Sequence, residues 1–112
     1  MLAASVTLSW MSLLAALLIA SSPATGAAPT RAEAGKVLRS ASCDHCHDSA
    51  ISAENQAALA VYDLREENWP ERMPDARLPK LLTRLRSASA ADQDLVRRFI
   101  ASELRSRRRG GR

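Results

Sequence analysis

Residues 40–49 run SASCDHCHDS, and this stretch holds both cysteines and both histidines of the 112-residue chain: Cys43, His45, Cys46 and His47. On its N-terminal side, 31–42 (RAEAGKVLRSAS) places Ala34, Val37, Leu38 and Ala41 at helical spacing and leads straight into Cys43. Gly35 lies inside that helix, where glycine costs about 1 kcal/mol relative to alanine, so its presence calls for the close approach of another helix. On the C-terminal side, 48–70 is less regular. AENQAALAVY has the makings of a short helix, whereas DLREENWP is polar and Pro70 blocks extension, so a long loop with a helical turn is expected.

Further out, a helix is expected from Asp75 to Arg86, with Leu78, Leu81, Leu82 and Leu85 on one face and Pro79 tolerated in its first turn. Ser87-Ala88-Ser89 breaks the chain. Ser89 is a good N-cap, and Asp92 stands in for the longer acid of a capping box. The helix that follows carries the stripe Leu95, Val96, Phe99, Ile100 and Leu104. No stretch alternates as a strand would, and there are no internal repeats. The expected fold class is all-α.

The first quarter of the chain belongs to a different category. Residues 1–26 contain no Lys, Arg, Asp, Glu or His, and Leu13 to Ala20 form an apolar run followed by Ser21-Ser22-Pro23 and small residues. This is the pattern of a secretory signal peptide with cleavage after Gly26. Its length from Leu2 to Ala20 leaves an uncleaved membrane anchor as the alternative. The expected organisation is then a leader at 1–26, a Pro/Ala/Thr linker at 27–32, one helical domain at 33–104 and an Arg-rich tail at 105–112. Export places the domain in the periplasm or otherwise outside the cytoplasm, with membrane attachment only if the leader is retained.

Charge supports that division. The chain carries a net +4, but 27–104 hold eleven basic against twelve acidic residues, and the tail RSRRRGGR adds five arginines without an acid. Such a tail is expected to be disordered and solvated. Behind an export signal, nucleic acid is excluded as a partner. Between 27 and 104 the aromatic residues are Tyr62, Trp69 and Phe99. A core this small calls for a staple such as a disulfide, a metal or a cofactor.

Three chemistries compete for the cysteine cluster. Structural zinc needs four ligands, normally two separated pairs, and here His45 and His47 would both have to join Cys43 and Cys46 in a cramped arrangement. A redox or structural disulfide is compatible with an oxidising compartment, but thioredoxin-type thiols sit at a strand-to-helix turn. The third is covalent haem attachment, whose signature is C-x-x-C-H. Cys43 and Cys46, three apart on one helical turn, would add to the two vinyl groups, and His47 would be carried under the iron as proximal ligand. The export signal, the all-α pattern and the helix leading into Cys43 agree with haem.

AGKVLRSASCDHCH resembles the amino-terminal segment of the small class I cytochromes c, in which a helix of pattern G-x-x-L precedes C-x-x-C-H. SAADQDLVRRFIASEL is similar to the last helix of that family. The resemblance covers about 31–47 and 88–104. It implies that Gly35 meets the C-terminal helix near Phe99 and Ile100, and that a methionine, often followed by proline, closes the sixth position of the iron. Once the leader is removed the remaining methionine is Met73, followed by Pro74; His45 lies on the same side of the haem as His47. An open or water-bound iron, or Lys36 or Lys80, are the alternatives. Tyr62, Trp69, Arg65 and Arg72 are candidates to hold the haem propionates.

The expected protein is therefore an exported monohaem c-type cytochrome that carries single electrons to or from redox partners with acidic surfaces, and is not itself an enzyme. A haem c protein with an open sixth position, acting as gas sensor or weak peroxidase, is the first rival. A small helical thiol or metal-binding protein is the second.

Overall fold

A computed structural model describes residues 27–110; the expected leader at 1–26 and the last two residues of the tail lie outside them. Within this range every regular element is helical, and the chain forms a small globule without strands. Four α-helices follow in order: α1 (Arg31–Ser40), α2 (Asp44–His47), α3 (Gln56–Val61) and α4 (Ala90–Arg109). Two 3₁₀ helices, Trp69–Arg72 and Leu78–Arg84, occupy the stretch between α3 and α4. Among the described residues no helix is long and apolar enough to cross a membrane.

Helix α1 begins at a complete capping box, in which the Thr30 hydroxyl accepts from the Glu33 N–H (3.1 Å) and the Glu33 carboxylate accepts from the Thr30 N–H (3.2 Å). Thr30, Arg31 and Ala32, expected as the end of the 27–32 linker, therefore already belong to the helix start. At the other end, Ser42 adopts φ 67°, the Cys43 N–H bonds to the Leu38 carbonyl and the Ser42 N–H to the Arg39 carbonyl, both at 3.0 Å. This is a Schellman turn with serine where glycine is the usual choice. It stops α1 at Ser40 and turns the chain into α2, which is the cysteine cluster itself.

Pro79 decides the form of the leucine-rich segment. An α-helix starting at Asp75 would need a donor at position 79 to bond the Asp75 carbonyl, and proline has none. The segment instead winds as a 3₁₀ helix from Leu78 to Arg84, correcting the expected 75–86 helix. Leu78 and Leu81, three apart, stack on one side of a three-per-turn helix and are buried together with Leu85.

Helix α4 starts at Ser89, whose hydroxyl accepts from the Asp92 N–H at 3.1 Å. It runs on to Arg109, so 105–109 of the tail expected to be disordered are helical. The reason is register. The buried stripe Val96, Phe99, Ile100 continues through Glu103 to Arg107, which is 8 % exposed and tied to the body by hydrogen bonds.

The core is formed where α1 and α4 pack together, with Leu38, Leu78, Leu85, Val96 and Phe99 fully enclosed. Gly35 does not serve the contact that the resemblance implies. A methyl group at that position would face the Trp69 Nε1 at 3.5 Å and the Leu64 side chain at 3.9 Å, not α4. Trp69 fills the place because its indole N–H donates to the Arg31 carbonyl at 3.2 Å, drawing the ring against α1.

Candidate functional site

The Schellman turn puts Cys43 at the N-cap of α2, and the single helical turn Asp44–His47 then carries Cys46 and His47. The His47 N–H bonds to the Cys43 carbonyl at 3.0 Å, which fixes the three side chains relative to one another. Cys43 is half-buried and Cys46 exposed, both as free thiols, while His45 is exposed.

The imidazole of His47 is held in one orientation. Its Nδ1 lies 2.9 Å from the Ala58 carbonyl and 3.2 Å from the Tyr62 carbonyl. Both neighbours are acceptors, so Nδ1 carries the proton and the Nε2 lone pair is left for a metal or another acid. A carbonyl partner on the far nitrogen is the support that ligating histidines generally have. The backbone adds a further tie, from the Leu64 N–H to the His47 carbonyl at 2.7 Å.

Next to His47 the Tyr62 ring stacks at 3.9 Å between centroids and 8° between planes. The row continues through Trp69 and Phe99, each step 5.6 Å, and so links the cluster to α4. The Tyr62 hydroxyl meets the Cys43 thiol. Burial pushes the Tyr62 phenol above its usual range, and burial also raises the Cys43 thiol. Cys43 is thus a neutral thiol near pH 7, the opposite of the lowered thiol pKa that a thioredoxin-type nucleophile requires.

Two cavities border this group. One of about 200 Å³ is lined by His47, Val61, Tyr62, Met73, Leu81 and the cations Arg77, Lys80 and Arg84. The other, about 560 Å³, is lined by both cysteines together with His47, Ala57, Ala58, Tyr62 and Arg84. His47, Tyr62 and Arg84 border both, so the two form adjoining parts of one crevice. Its larger part alone lies within the range of ordinary small-molecule and cofactor sites. Among the described residues no group of three or more His, Cys, Asp or Glu stands close enough together to hold a metal ion.

Met73 is 2 % exposed and shares the smaller cavity with His47, although 25 residues separate them in the chain. Its position follows from the 3₁₀ turn before it, where the Met73 N–H bonds to the Pro70 carbonyl at 3.0 Å.

Of the four residues expected to face propionates, only Tyr62 lines the crevice. The Trp69 indole is committed to Arg31, and Arg72 donates to the Leu59 carbonyl and the Glu66 carboxylate. Arg65 is exposed and lines a separate surface groove with Arg31, Lys36 and Arg39. The cations at the crevice are instead Arg77, Lys80 and Arg84, all exposed. Their spacing of three and four alongside the buried leucines was the available signal. No protein-family model, no curated protein and no solved structure matches this chain.

Proposed function

We propose that this chain is a monohaem c-type cytochrome that carries single electrons outside the cytoplasm. The observation that carries the proposal is the convergence of His47 and Met73 on one cavity, next to a second cavity lined by Cys43 and Cys46. The donor set suits haem: two thiols on the turn that ends in a histidine, and a thioether from a distant segment. The haem supplies a one-electron Fe(III)/Fe(II) couple.

Each residue has a distinct task. Cys43 and Cys46 are the thioether anchors. His47 is the proximal ligand, kept in the Nδ1–H tautomer by the Ala58 and Tyr62 carbonyls. Met73 is the distal ligand. Thioether ligation favours the reduced state relative to a second imidazole and leaves no open coordination site, which suits electron carriage over substrate chemistry. Val61 and Leu81 give the smaller cavity apolar walls, while Arg77, Lys80 and Arg84 on its lining would offer positive charge to the propionates. The same cations, exposed beside the crevice, would draw an acidic redox partner, an attraction that salt weakens.

The test is the absorption spectrum of the exported, oxidised protein. The expected result is a weak sulfur-to-iron charge-transfer band at the red end of the visible range, abolished in Met73→Ala. A haem-loaded wild type that lacks the band and binds carbon monoxide readily when reduced has an open sixth position, and electron carriage through Met73 is then wrong.

A further inference from the structure

The Arg-rich end of α4 contains one arginine unlike its neighbours. Arg105, Arg108 and Arg109 are exposed, whereas the Arg107 side chain retains 7 % of its exposure. Its guanidinium donates through Nη2 to the Pro70 carbonyl at 2.7 Å and through Nη1 to the Met73 carbonyl at 2.6 Å. Nη1 also donates to the Asp75 carboxylate at 2.8 Å. All three acceptors belong to the six-residue segment that presents Met73 to the crevice.

A second tier holds the guanidinium in place. Glu103, one turn earlier on α4 and 8 % exposed, lies 3.8 Å from Arg107 Nε and accepts from Arg31 at 2.7 Å. Arg31 also bonds to Glu71 at 3.1 Å. Arg107 thus joins α4 to the Met73 segment, its planar fork serving acceptors that a single ammonium group cannot, and Glu103 and Arg31 extend the network to α1.

We infer that Arg107 is a positioning residue for the distal side of the crevice, fixing the Pro70–Asp75 backbone so that the Met73 side chain stays turned toward His47. The inference rests on the proposed role of Met73 as ligand. It assigns to the basic tail an internal task in place of a partner-binding one. A shift of this segment that withdraws Met73 from the cavity breaks the bonds from Arg107 to the Pro70 and Met73 carbonyls. The clamp therefore resists displacement of Met73.

Imidazole, added to the oxidised exported protein, competes with Met73 for the sixth position and measures that resistance. Arg107→Gln removes the fork and is expected to tighten apparent imidazole binding roughly tenfold to a hundredfold, the scale of a charged hydrogen bond to a buried acceptor. Arg107→Lys keeps the charge without the fork and is expected about midway. Asp75→Asn leaves both carbonyl bonds intact and should change binding less than about threefold, well below one such bond. Arg105→Gln and Arg108→Gln, on the exposed side of α4, should match wild type.

Unfolding by guanidinium, followed in parallel, separates positioning from general stability. A residue that only stabilises the globule would lower the midpoint while leaving imidazole affinity in the folded state unchanged, and that result overturns the inference. So does wild-type affinity in both Arg107→Lys and Arg107→Gln. If Arg107→Gln fails to fold, Arg107→Lys alone decides. A wild-type protein without the sulfur band overturns the Met73 assignment first, before any variant is compared, and the inference falls with it.

Discussion

Replacing Gly35 by alanine should stabilise this protein, contrary to what its resemblance to class I cytochromes c implies. Where that glycine admits a crossing helix, an added methyl group forces two backbones apart. Here the methyl would sit 3.5 Å from the Trp69 Nε1 and 3.9 Å from the Leu64 side chain, both ordinary van der Waals distances, with no atom of α4 among its near neighbours. An interior helical glycine costs about 1 kcal/mol relative to alanine. The methyl also adds buried apolar contact, offset in part by small adjustments of Trp69, whose hydrogen bond to Arg31 lies alongside. The expected net gain is about 0.5–1 kcal/mol, or roughly 3–6 °C in melting temperature for a domain of this size. Urea unfolding followed by far-ultraviolet circular dichroism on the exported protein measures it. Gly35→Leu provides the opposite sign, since a longer side chain runs into the indole and should cost about 1–3 kcal/mol. A loss of stability in Gly35→Ala would refute the placement of Trp69 against α1.

Further expectations concern the turns on either side of the cluster. Ser42→Gly relieves a left-handed residue at the end of α1 and should raise stability by about 0.5–1 kcal/mol, whereas a β-branched valine there should lower it; unchanged stability in both would contradict the Schellman geometry. Asp48, 2 % exposed and directly after the cluster, is held below its ordinary carboxylate pKa first by Arg39 at 2.6 Å and further by the Ala50 N–H. A depressed carboxylate stabilises the fold above its unfolded pKa and loses that contribution as pH falls through its folded value. Arg39→Met should therefore cost about 2 kcal/mol at pH 7, less than a fully buried pair because the arginine is 38 % exposed. The difference from wild type should shrink as pH drops below about 4. A gap independent of pH would assign the loss to the Arg39–Leu64 carbonyl bond instead.

These residues also mark how far the sequence was legible. Helices α1 and α4 were legible because apolar spacing and a capping serine coincide at Ser89, and spacing alone suffices at Ala34–Leu38. The leucine segment was not, since Leu78, Leu81, Leu82 and Leu85 carry the i, i+3, i+4, i+7 spacing of an α-helix and only Pro79 argues against one. Gly35 signalled a close neighbour without identifying it, because contacts across 34 residues depend on packing that no local pattern encodes. Arg107 was hidden among chemically identical neighbours. Only its register, seven residues after Ile100 on the buried stripe, distinguishes it. For the same reason the cations expected at the crevice were misplaced: Arg72 is bonded to Leu59 and Glu66, Arg65 lines a separate groove, and Arg77, Lys80 and Arg84 line the crevice instead.

The central claim is covalent haem on Cys43 and Cys46. It is tested most directly by denaturing the exported protein, extracting it with acidified acetone and recording the reduced pyridine spectrum of the precipitated polypeptide. Haem that stays with the chain, shows the spectrum of two saturated vinyl groups, and is lost in the Cys43→Ala, Cys46→Ala double variant is the predicted result. A colourless precipitate from the wild-type chain would contradict it.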